Sequence, residues 1–292
     1  MGRFKRGFSG WLVFLGLFGG VAAHAEAPVW AIKGARNTVY LAGSVHLLRA
    51  AESKLPAAFD KAYADSAALV MEIDMDDLNP TEAQGLMLEK GIYTGDETLS
   101  EVVGKDRFAK LDKQAGEMGI PTEALERFQP WMAAMTLAEL QLAKLGFDPN
   151  SGVEKQITAH AMSDRKEITG FETLNEQLGL LANLSQSDQI KFLDLTLEEM
   201  DEMKGETDAL VAAWRAGNAS ALASILSEEY GVAPGLYTTL VSDRNRRWIP
   251  EIEKLLKSDK NYMVVVGTLH IVGKNGLLDL LKTEGFTSRQ LQ

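Results

Sequence analysis

The chain has 292 residues, no cysteine, 46% hydrophobic residues and a formal net charge of −11. That length leaves room for one large domain or two closely joined ones with an ample core, and the lack of cysteine excludes disulfides and a cysteine-linked lipid anchor. So acidic a balance gives no electrostatic reason to bind nucleic acid or anionic lipid head groups.

Arg3, Lys5 and Arg6 precede an apolar stretch from Phe8 to Val21, broken only by Ser and Gly, and Ala23-His24-Ala25 supplies small residues where a signal peptidase reads. This order predicts a signal peptide over residues 1–25 and a periplasmic or secreted protein. Removing 25 residues, three basic and none acidic, leaves 267 and carries the charge from −11 to −14. The rival reading, an uncleaved anchor, has only the 16 residues from Phe8 to Ala23, against the ~20 that a bilayer requires. No later apolar run reaches membrane length, so no membrane span is expected after the signal is removed.

Trp30–Lys33 and Thr38–Ala42, joined by Gly34-Ala35-Arg36-Asn37, read as a β-hairpin. The turn Gly43-Ser44-Val45-His46 follows, then a helix from about Pro56 to Ser66 and a buried strand from Ala68 to Ile73 that carries Glu72. Strand, helix and strand in that order imply parallel pairing. From about Pro80 to Arg247 the chain is mostly helical in spacing, interrupted by one short strand, Glu167-Ile168-Thr169. Candidate helices there include Arg107–Met118, Trp131–Leu145, Gly152–Met162, Asn175–Leu184 and Asp208–Ala216. Strand patterning returns from Asn261 to Val266, followed by Gly267-Thr268-Leu269-His270, a helix near Gly276–Lys282 and a last strand near Phe286. The expected fold is α/β. A small mixed or parallel sheet comes from the two chain ends, with a large helical insert (about 80–247), all in one domain spanning 26–292.

One internal repeat stands out. Gly43-Ser44-Val45-His46-Leu47 and Gly267-Thr268-Leu269-His270-Ile271 match in chemistry at five positions, each after a predicted strand. In open α/β sheets, sites form beyond the carboxyl ends of strands, and two neutral imidazoles brought together make a metal half-site. Glu72, near the end of a neighbouring strand, would complete a two-His, one-carboxylate set with an open position for water. Either His alone reads as well as a turn-closing hydrogen-bonding residue; the pairing is what points to a site. Glu72 reads equally as a solvent-facing carboxylate, and His160 as structural or solvent-facing. Glu172, after the mid-chain strand, could be a general base or further ligand, or else a helix-dipole charge with Thr173 as cap. Arg244, in the basic run Asp243–Arg247, could clamp a substrate carboxylate or an oxyanion, or belong to a solvated helical face.

These segments resemble the TraB/GumN family, which is related to the Tiki metalloproteases. Val39–His46, Val70–Asp74, Gln129-Pro130-Trp131, Gly152-Val153-Glu154, Gly170–Thr173 with Gln177, Arg244-Asn245 and Gly267–His270 with Gly273 and Gly276 follow the family's motifs in order, with departures at Gln129, Glu154 and Phe171. The resemblance implies a metal-dependent peptidase. His46, Glu72 and His270 would hold a divalent ion (Mn, Co or Zn), Glu172 would act as base or fourth ligand, and Arg244 with Asn245 would orient a peptide or small-molecule substrate. It also implies kinship with the erythromycin-esterase and ChaN folds. Two alternatives therefore stay open: a haem- or metal-binding protein without turnover, and a metal-free hydrolase with a His general base.

Overall fold

The computed structural model describes residues 26–231 and 233–292; the expected signal peptide, residues 1–25, lies outside them. The fold is mixed α/β. Six strands, β1 (Val29–Lys33), β2 (Thr38–Ser44), β3 (Ala68–Ile73), β4 (Glu167–Glu172), β5 (Tyr262–Gly267) and β6 (Ser288–Gln290), form one sheet in the order β4-β3-β5-β2-β1-β6. Strands β4, β3, β5 and β2 run parallel, whereas β1 pairs antiparallel with β2 and with β6. The strands thus come from both ends of the chain, with mostly helical sequence between β3 and β5.

Burial explains the arrangement. Val264, Val265 and Val266 of the central strand β5 are fully buried, as expected for a parallel strand covered on both faces. Helices pack Phe59, Trp214, Trp248 and Ile252 onto the sheet. A second apolar cluster around Leu111, Leu137 and Leu193 holds the helical region together.

The hairpin and β3 form as the spacing predicts. β4 is longer than expected and reaches Glu172, because Ile73 of β3 pairs with Glu172 and carries the ladder past Gly170. The last strand lies at Ser288–Gln290 rather than at Phe286; it is fixed by pairing with β1, which the local sequence does not encode. The basic run Asp243–Arg247 opens a helix that continues to Leu256 through Pro250. Proline removes the bond to the carbonyl of residue i−4, here Arg246, which is exposed where water can serve it.

Candidate functional site

All four parallel strands point their carboxyl ends to one side, delivering Ser44, Glu72, Glu172 and Gly267 to a common edge. The two Gly-x-x-His turns lie on adjacent strands, with Ser44 opposite Gly267. Their glycines are needed for close approach. A methyl group on Gly43 would run into Thr268 of the other turn. One on Gly267 would sit 3.3 Å from Glu72 Oε1, 3.5 Å from His46 Nε2 and 3.6 Å from His270 Cδ2. Glu72 of β3 and the histidines that follow β2 and β5 therefore converge on the space over Gly267.

The turns match in sequence but not in environment. After β5 the chain coils into one helical turn, Thr268–Ile271, which tucks His270 inward against Trp248, with ring centres 4.7 Å apart. After β2 the chain stays open, and the His46 side chain is 62% exposed at the crevice mouth. Residues 148–153 clamp this second loop: Asp148 N donates to Leu48 O at 3.0 Å and Val153 N to Val45 O at 3.1 Å. That anchoring sets Glu154 beside the ring, where Glu154 Oε1 lies 2.6 Å from His46 Nδ1 and also accepts from Ser44 Oγ. The attraction of Glu154 raises the imidazole above its ordinary value, to about 9, against the desolvation of its enclosed flank; water on the open face screens part of that pull. Burial tends to raise Glu154, but the His46 charge and its hydrogen bonds hold it below the usual carboxylate range.

His270 is the reverse case. Asn245 Nδ2 donates to the backbone oxygens of His270 and Asn275, at 3.0 and 2.9 Å, so its Oδ1 is the acceptor facing His270 Nδ1 at 2.7 Å. Nδ1 must carry the proton, leaving Nε2 to accept from Arg244 Nη1 at 3.1 Å, since a guanidinium can only donate. Burial lowers the His270 value to about 4, with Arg244 adding to the effect and Glu72 opposing it.

Arg244 joins the acidic residues. Its Nη2 donates to Glu72 Oε2 at 2.5 Å, and its Nε to Glu172 Oε2 at 2.9 Å. Arg247 Nη2 also donates to Glu172, at 3.2 Å. Glu72 further accepts from the Gly267 amide at 2.8 Å and from Gln177 at 3.0 Å. Burial works to raise Glu72. It is outweighed by Arg244, His46, the Gly267 amide and His270 (cationic in the acid range where Glu72 titrates), which together hold the carboxyl near 2. The basic run is thus divided: Arg244 and Asn245 are buried in the site, while Arg246 pairs with Asp243 at the surface.

The sequence-derived residues His46, Glu72, Glu172, Arg244, Asn245 and His270 all lie in this one constellation, and His160 stands apart on an exposed helix face against Tyr63. Thr173 caps the Leu174–Ala182 helix through the amide of Glu176. Glu154 and Gln177 enter the sequence reading only as members of family-like motifs with no assigned role, and Trp248 not at all, yet each touches a central side chain. A carboxylate in a helix's first turn reads as an ordinary dipole partner, so the partner of His46 has no distinctive local pattern.

As a metal site, the donors fit in part. His46 Nε2 and Glu72 Oε1 flank the Gly267 space, with Glu154 behind the imidazole as metal-ligating histidines favour. His270 Nε2 is engaged by Arg244. Among the described residues no group of three or more His, Asp or Glu is arranged to hold a metal ion as it stands.

Comparison with known proteins is consistent across the chain. The chain is 24% identical to "Uncharacterized protein YbaP" of Escherichia coli (strain K12) over 243 residues, covering 83% of this chain and 87% of the relative. The YbaP protein of Shigella flexneri matches to the same extent. An uncharacterized Treponema pallidum protein is 21% identical over 279 residues, 89% of this chain and 81% of that one. No solved structure matches. The model of the TraB/PrgY/gumN family matches residues 28–290, so the chain belongs to that family.

Proposed function

We propose that this protein is an exported, metal-assisted hydrolase that cleaves peptide bonds in the crevice over Gly267. The observation that carries the reading is the approach of His46 Nε2, Glu72 Oε1 and the His270 ring to within 3.6 Å of one point. Export is supported by the basic, apolar and small-residue order of residues 1–25. Among the described residues, no helix is long and apolar enough to cross a membrane.

His46 Nε2, once the ion displaces its proton, and Glu72 Oε1 would hold the divalent ion (Mn, Co or Zn by class), with His270 joining where Arg244 releases its Nε2. Once bound, such an ion acidifies a water or polarises a carbonyl. The chain's own groups supply the rest. Glu154 holds the His46 ring in one orientation and accepts its Nδ1 proton bond, leaving Nε2 directed at the crevice. Asn245 fixes the neutral His270 tautomer. Arg244 sets a positive charge beside Glu72, where negative charge on a carbonyl oxygen would be stabilised. Glu172, bound to Arg244 and Arg247, orients that guanidinium.

One observation favours a second reading, a metal-free hydrolase: the guanidinium already fills the gap between Glu72 and His270. There His46 would shuttle the proton and Arg244 would face the oxyanion. The test is cleavage of a peptide panel by purified protein before and after exhaustive chelation, with bound metal measured. Loss on chelation and recovery with Mn, Co or Zn supports the metal-assisted reading. Full turnover without metal supports the second, and bound metal or haem with no turnover supports a binding protein.

A further inference from the structure

A cavity of about 220 Å³ opens beside His46 and Glu72. Its apolar wall is formed by Met71 and Ile73 of β3, Val265 of β5, and Met75 and Pro149. The polar lining is concentrated in a few groups: His46, Glu72, Glu154, Lys155 and Gln177. Of these, Glu154 is bound to His46 and Gln177 to Glu72, which is also held by Arg244 from outside the cavity lining. Lys155 is exposed in the first turn of the Val153–Asp164 helix, and is the one charged group lining the cavity, among the described residues, without an ion pair or hydrogen bond.

We infer that this cavity is a selectivity subsite: the substrate presents one large apolar side chain beside the cleaved bond and a carboxylate just beyond it. The inference rests on the hydrolase reading above. Ligand sites are typically apolar pockets with a few placed polar groups that fix orientation, and this cavity has that division. Its size matches one side chain, since a dry apolar cavity of ~150 Å³ accepts a benzene ring. Two methionines in the wall let it fit aliphatic and aromatic shapes alike, because their thioethers are flexible and polarisable. A polar or charged side chain laid against the apolar wall of Met71, Ile73, Met75, Pro149 and Val265 would lose its water without gaining a partner from that wall. Lys155, unpaired at the rim, is left to meet an anion on the substrate.

The test uses short peptides Ala-X-Ala, with X as Leu, Phe, Met, Ala or Asp, each as the free acid and as the C-terminal amide. Cleavage and calorimetric binding are both measured on the full protein. Leu, Phe and Met should exceed Ala and Asp by about 10-fold or more in kcat/KM and in affinity, and the free acid should exceed the amide. Met75→Asp should lower the values for X as Leu more than those for X as Ala, narrowing the preference between them. Lys155→Met should erase the acid-to-amide difference and keep the side-chain preference. Cleavage indifferent to X overturns the subsite and leaves the hydrolase reading standing. Selective binding without cleavage of any peptide does the reverse. Neither binding nor cleavage overturns both.

Discussion

His46 Nδ1 lies 2.6 Å from Glu154 Oε1, and this pairing directs the other ring nitrogen, Nε2, toward Glu72 and Gly267. The partner of the exposed histidine is thus a carboxylate, whereas the buried histidine, His270, is held by a neutral amide and a guanidinium. Two turns of the same sequence pattern therefore present a proton-rich imidazole and a neutral one side by side.

Glu154→Gln removes the charge and keeps the shape. The His46 titration midpoint should fall from about 9 toward 6.5, read by NMR titration of the ring. Metal affinity or activity should drop roughly 10- to 100-fold, the usual effect of losing a carboxylate behind a ligating histidine. An unmoved midpoint would show that the pair does not form in solution.

Arg244→Met leaves Glu72 and Glu172 without their shared partner, although both side chains are at most 10% exposed. Breaking a buried ion pair from one side costs about 3–5 kcal/mol, so urea unfolding should show a loss of that order. Glu172→Gln should cost less, since Arg244 keeps Glu72.

Acid stability follows from the direction of the His270 shift. Its folded value, about 4, lies below the ordinary 6.5, so the unfolded chain takes up a proton that the folded one refuses. The resulting stability is complete above pH 6.5 and lost as pH falls toward 4. His46 acts oppositely: with a folded value of about 9, its contribution is complete below pH 6.5 and lost as pH rises toward 9. Thermal unfolding should peak between these limits, and His270→Gln should flatten the slope between pH 6.5 and 4.

Gly267→Ala should fold, because the added methyl meets its nearest contact at 3.3 Å and only side-chain ends need to give. It should still lose about 10- to 100-fold in activity, since small displacements at a reacting centre are costly. The melting temperature and the rate, measured together, separate the two effects.

Much of this arrangement was legible in the sequence. The repeat Gly43–Leu47 and Gly267–Ile271 marks both turns, because glycine and histidine at fixed spacing after a strand survive as local pattern. Glu72 and Glu172 could be placed at strand ends for the same reason. Their partners could not: Arg244 reaches both carboxylates across 172 and 72 residues, and a basic run looks the same whether it is solvated or buried. The different fates of His46 and His270 were equally hidden, since they depend on whether the chain coils or stays open after the strand. The final strand was misplaced by two residues because only its pairing with β1 fixes it.

The most direct test is anomalous diffraction from crystals of the protein soaked with Mn at saturating concentration. The account predicts one anomalous peak over Gly267, beside His46 Nε2 and Glu72 Oε1, absent in His46→Ala. An empty space there, in crystals whose dissolved protein still cleaves peptides, would contradict it.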